Sequence, residues 1–66
     1  MPSAAIADFD YDEENRRLVV TFRGRERRSY AYLDVPPDRY EELCMASSKG
    51  TYVNKWIKPF YDCEEL

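Results

Sequence analysis

Histidine is absent from this 66-residue chain, and cysteine occurs only as Cys44 and Cys63. Without an imidazole, a nucleophile must take Lys, Asp or Glu as its base, and the spacing gives none of Ser47, Ser48 or Cys44 such a partner. Catalysis is therefore not expected. Two cysteines cannot close a four-ligand zinc site and are too few for a disulfide scaffold, so both read as reduced thiols, with no metal or cofactor expected. No apolar run approaches the ~18 residues of a membrane span, and Met1-Pro2-Ser3-Ala4-Ala5 lacks the basic and apolar regions of a signal peptide. The expectation is a soluble cytoplasmic protein without membrane contact. No repeat, linker or low-complexity tract interrupts the chain. Its length allows one domain, 1–66, burying only ~60% of the surface its unfolded chain exposes, with ends expected to fray at about 1–4 and 63–66.

Aromatic residues and charge are, by contrast, plentiful. Six Tyr, three Phe and one Trp supply large buried area per residue. The net charge of -3 argues against nonspecific nucleic-acid binding, which depends on Lys and Arg neutralising phosphates. Its distribution says more: Arg16, Arg17, Arg23, Arg25, Arg27 and Arg28 are opposed locally only by Glu26, and Lys49, Lys55 and Lys58 form a second basic group. The acids collect at Asp8 to Glu14, Asp34 to Glu42 and Asp62 to Glu65. The chain is dipolar.

A first strand is expected from about Ala4 to Tyr11, where Phe9 and Tyr11 disagree in parity with Ile6; a bulge near Ala7 or Asp8 could reconcile them. Asp12-Glu13-Glu14-Asn15 has turn composition. From Arg17 to Arg23 the pattern alternates, with Leu18, Val20 and Phe22 on the core face. Gly24 opens the next turn, and a third strand spans Arg27 to Val35. Val35-Pro36-Pro37-Asp38 stops the sheet and starts a helix to about Ala46, with Tyr40, Leu43 and Cys44 as its apolar stripe. Cys44 is expected in the core. Ser48 caps a second helix from about Lys49 to Lys58, limited by Pro59, after which Phe60 and Tyr61 are expected to pack as a closing segment. The class is α+β: a three-stranded antiparallel meander followed by two short helices on one sheet face, in the order β-β-β-α-α.

Three constellations carry functional readings. Tyr30 and Tyr32 share a sheet face; on an open face beside Arg28 they would form a stacking platform for splayed bases, and on the core face they would be packing residues. Arg25, Arg27 and Arg28 belong to a basic hairpin tip suited to phosphates, or else to a solvated edge whose charge discourages strand aggregation. Ser48-Lys49-Gly50-Thr51 opens a helix whose amides and Lys49 could receive an anion, although an ordinary Ser48 cap accounts for the same residues; Asn54, one turn on, is a polar neighbour. Asp8, Asp10 and Asp12 read better as a solvated acidic rim than as a metal site.

Tyr30-Ala31-Tyr32-Leu33-Asp34-Val35-Pro36, a short helix, and Ser48-Lys49-Gly50-Thr51-Tyr52-Val53-Asn54-Lys55 with Ile57 and Tyr61 beyond together resemble the KTSC domain. That family is named after the C-terminal region of some lysyl-tRNA synthetases and also occurs as small free-standing bacterial proteins. The resemblance covers about Ile6 to Tyr61. Pro59 departs from it, thinning the positive charge after Ile57. The resemblance implies a noncatalytic binding module without established activity, and an RNA partner by analogy. The residues expected to carry binding are Tyr30, Tyr32, Arg25, Arg27, Arg28, Lys49 and Asn54. The alternative is a protein-interaction module that docks through an exposed aromatic patch containing Trp56 or Tyr61.

Overall fold

A computed structural model describes residues 6–24 and 28–66. The strands β1 (Ile6–Asp12), β2 (Arg17–Phe22), β3 (Ser29–Tyr32) and β4 (Cys63–Glu65) form one antiparallel sheet in the order β1-β2-β3-β4. Two helices, α1 (Pro37–Met45) and α2 (Lys49–Tyr52), lie between β3 and β4, and α2 runs directly into a π-helical segment, Val53–Ile57. The α+β class and the meander followed by helices are as the sequence implies. The C-terminus is a correction: residues 63–65 pair with the free edge of β3 where fraying was expected.

Alternation in β2 fixes the interior. Leu18 and Val20 are fully buried and Phe22 nearly so, whereas Arg17, Val19 and Thr21 face the other way and are half-buried. The β1–β2 register pairs Phe9 with Val20 and Tyr11 with Leu18, and slips between Ile6 and Asp8. That slip is a bulge at the place where one could reconcile the parities, and it lets Ile6 and Phe9 reach the same core. Asp12 organises the turn into β2: its carboxylate accepts hydrogen bonds from the Glu14 and Asn15 amides and the Asn15 side chain. The Asn15 side chain is the chief cause holding it below the usual carboxylate range. The turn closes through Arg16 at φ 53, a left-handed conformation that costs an L-residue about 1–2 kcal/mol. The Arg16 carbonyl accepts the Val35 amide at 2.9 Å, tying the turn to the segment that enters α1.

Leu18, Val20, Phe22, Tyr32, Val35, Leu43, Val53 and Ile57 form the core between sheet and helices. Each fully buried aliphatic among them contributes about 1.5–3 kcal/mol by leaving water. Pro37 sets the first turn of α1, consistent with a missing amide where no intrahelical partner exists. The helix is seated by aromatic contacts: Tyr40 stacks on Tyr11 at 4.7 Å and meets Phe9 edge-on at 6.1 Å, and the Tyr11 hydroxyl donates to the Val35 carbonyl at 2.6 Å. Only Leu43 of α1 is fully buried. Cys44 is exposed, which corrects the expected stripe, because it lies ~100° around the helix from Leu43 and misses the contact line.

Candidate functional site

The register across β2 and β3 decides where the paired tyrosines point. Tyr32 stands opposite Leu18 and Tyr30 opposite Val20, so both share the core face of the sheet. Tyr32 is 2% exposed, and Tyr30 is half-buried with its ring edge-on to Phe22 at 5.8 Å. Burial, then the charges of Cys63 and Tyr30, pushes the Tyr32 hydroxyl up to about 12. The open-face stacking platform is therefore absent, and the packing alternative is what the fold contains. The opposite face presents Asp8, Asp10 and Asp12 from β1, Arg17, Val19 and Thr21 from β2, Ser29 and Ala31 from β3, and Glu64 from β4. No aromatic residue is among these. A face bearing so many acids repels phosphate.

The remaining sequence-predicted residues are dispersed. Arg28 lies at the sheet edge and pairs with Glu65 at 3.4 Å. Arg25 and Arg27 lie outside the described residues. The Lys49 ammonium donates to the carbonyls of Cys44 at 3.0 Å and Ala46 at 2.8 Å, satisfying the C-terminal end of α1. The Ser48 hydroxyl accepts the Thr51 amide, an ordinary cap. Lys49 is thus a helix-junction residue, and the anion reading of this segment loses its charge. Asn54 is half-buried within the π-helical segment. Asp8 and Asp10 each accept a hydrogen bond from the following backbone amide. Among the described residues, no group of His, Cys, Asp or Glu is arranged to hold a metal ion, and no helix is long and apolar enough to cross a membrane.

A different cluster gathers where α1 faces the second helical run. Val53 and Ile57 are fully buried, and the Lys58 amide bonds back to the Val53 carbonyl at 2.8 Å, spanning five residues. This wide turn anchors its two aliphatics below and leaves Trp56 above, 45% exposed. Phe60 is 65% exposed and near-parallel to Trp56, with an interplanar angle of 11° and centroids 6.3 Å apart. The sequence placed Phe60 in a packed closing segment; only Tyr61 behaves so, half-buried against the core. The Arg39 guanidinium of α1 lies 5.8 Å from the Trp56 ring centroid, a cation–π distance.

Arg39 is also the centre of a polar node. It donates to Glu42 at 2.9 Å, and hydrogen bonds with Tyr61, then Tyr52, then Glu42 strengthen its hold on its proton. The Tyr52 hydroxyl donates to the same Glu42 oxygen, Oε1. Tyr52 first and Arg39 second hold the Glu42 carboxyl below its ordinary range, while burial and then Glu42 raise Tyr52. These bonds fix the Arg39 plane beside the indole. Lys55 and Lys58 are exposed nearby in sequence, with the Lys58 ammonium 5.2 Å from the Phe22 centroid. From Ser47 to Tyr61 the chain carries Lys49, Lys55 and Lys58 and no acid. Sequence reasoning named Trp56 and Tyr61 as an alternative patch but missed Arg39 and Phe60. The Trp56 to Phe60 spacing of one helical turn was the available signal for the second.

Comparison with known proteins gives this geometry a context. The KTSC domain family matches residues 2–61. A lysine–tRNA ligase of Nostoc punctiforme is 35% identical over 63 residues, which is 96% of this chain but 11% of the ligase, so the chain spans about a tenth of that relative's length. A protein of Tsukamurella paurometabola is 37% identical over 57 residues, covering 86% of this chain and 82% of that protein. The crystal structure of a KTSC domain protein from Yersinia pestis superposes with a TM-score of 0.86 at 32% identity, covering all of this chain and 90% of the other. The match across residues 2–61, with these likenesses in sequence and fold, places the chain in the KTSC domain family.

Proposed function

We propose that this domain is a noncatalytic binding module that contacts single-stranded RNA through the Trp56–Phe60 face. The observation that carries the reading is the near-parallel pair of exposed rings in a stretch whose only charges are lysines. Base stacking on an aromatic side chain contributes about 1–3 kcal/mol per base, and Lys55 and Lys58 supply the phosphate contacts. Arg39 holds the indole plane from the α1 side. The tRNA ligase relative supports an RNA partner, since a domain of this kind there belongs to a tRNA-handling enzyme. The acidic sheet face favours approach from the helical side.

One observation favours a protein partner instead: Arg39 is already met by Glu42 and so adds no phosphate contact, and the patch has the Trp, Tyr and Arg composition of a protein hot spot. Salt separates the two. Trp56 fluorescence titrated with short single-stranded RNA should change saturably, with a log–log salt slope of about -1.4 for two phosphate contacts. Phe60→Ala, read by the same fluorescence, and Trp56→Ala, which removes the single tryptophan fluorophore and is read by the anisotropy of a dye-labelled RNA, should each weaken binding by about tenfold or more. No response of Trp56 to millimolar RNA at low salt would sink the RNA reading and leave the protein partner.

A further inference from the structure

The C-terminal strand lies on β3 in the manner of a bound peptide. Cys63, Glu64 and Glu65 are all exposed and stand opposite Tyr32, Ala31 and Tyr30. Backbone bonds extend the pairing at both ends: the Leu33 amide donates to the Asp62 carbonyl at 2.8 Å, and the Leu66 amide donates to the Ser29 carbonyl at 2.9 Å. The two acids project to opposite faces, as alternation requires. Each meets an arginine there. Arg17 of β2 reaches Glu64 at 3.1 Å across β3 on the open face, and Arg28 reaches Glu65 at 3.4 Å on the other. Ala31, in register with Glu64, has no exposed surface beneath this bridge.

We propose that the β3 edge from Ser29 to Leu33 is a strand-docking site for an extended peptide with two successive acidic residues, and that residues 62–66 occupy it as an internal ligand. Main-chain bonds supply affinity, and the alternate side-chain positions supply specificity, the division of labour in strand addition. Arg17 and Arg28 read one acid on each face. The resident strand is short and its ion pairs are solvent-exposed, so it is a low-stability unit that an external acidic strand can displace. The helical run Val53–Ile57 and the further bonds from Phe60 and Tyr61 back to Ile57 keep the preceding segment wound close to the domain, which disfavours reach into a second copy.

The test uses the full chain carrying Glu64→Lys and Glu65→Lys, which sets like charges beside Arg17 and Arg28. The probe is a synthetic peptide copying residues 60–66 with Cys63→Ser. NMR titration should move the Ser29 to Leu33 amides saturably, about tenfold more tightly than for the same peptide bearing the two lysines. Equal binding of both peptides, no response in β3, or a dimer formed by exchanging tails without peptide binding would each overturn the proposal. Should the variant fail to fold, hydrogen exchange on the unsubstituted chain decides. The Leu33 amide, bonded to Asp62, should exchange about tenfold faster than the Val35 amide, bonded to Arg16. Equal protection overturns the proposal.

Discussion

Tyr32 and Trp56 are both large aromatics on regular elements, yet one is sealed in the core and the other stands in solvent. Neither fate follows from residue type. Tyr32 lies opposite Leu18 on the sheet face that the helices cover, and it joins a continuous interior with Leu43, Val53 and Ile57. Trp56 precedes Ile57 on a wide helical turn whose buried positions are already taken by aliphatics. The difference separates aromatics that hold the domain together from aromatics left in contact with solvent. An aromatic pair in the sequence is a platform only if its face is open.

The strongest way to break this comparison is to truncate both rings. Tyr32→Ala should cost about 3–5 kcal/mol, comparable with the ~5 kcal/mol of net stability at the low end for folded domains, and should leave much of the chain unfolded. Trp56→Ala should cost about 1 kcal/mol or less, because its ring is half-solvated and its contacts are surface ones. Urea unfolding followed by far-UV circular dichroism measures both; equal losses would show that the two rings are not divided between core and surface in this way.

Ionisation sharpens the same comparison. An unfolded tyrosine releases its proton near 10.0, whereas folded Tyr32 holds it to about 12. The folded state therefore binds the extra proton in that window. Its stabilising contribution is complete below pH 10 and is lost as pH rises through about 12. Tyrosinate absorbance of the folded protein should still be rising at about pH 12, with unfolding becoming easier over the window. A folded-state titration already complete well below that pH would contradict the buried placement of Tyr32.

The smallest expected effect concerns the turn that sets the β1–β2 pairing. Arg16→Gly places the residue type that tolerates φ 53 where a side chain is strained, and should stabilise the domain by about 0.5–1 kcal/mol. A lower unfolding midpoint would show that the arginine side chain, not its backbone, matters there.

Much of the fold was legible because β2 alternates without ambiguity and the clash of parity between Ile6 and Phe9 pointed to where β1 could bulge. The third strand was harder. Tyr30 and Tyr32 on one parity, and Ala31, Leu33 and Val35 on the other, are both apolar enough for a core, and only register against β2 chooses between them. Cys63-Glu64-Glu65 has poor strand propensity. Its pairing depends on a vacant edge and on Arg17 and Arg28, which are distant in sequence. The same limit hid the cluster around Arg39, since its contact with Trp56 runs between separate helices. Lys49 was legible as a cation, but its use depended on where α1 ended.

The π-helical turn at Val53–Ile57 also acts as a phase shifter. An extra residue in a helix turns everything after it by roughly 100° relative to a regular continuation, while the residues before it keep their places. Removing one residue between Val53 and Ile57 would turn both Ile57 and Phe60 by roughly 100° relative to Val53, so the interior and the exposed ring pair are set by the same extra residue. The exposed aromatic pair is thus coupled to the packing of the domain through one residue of helical phase.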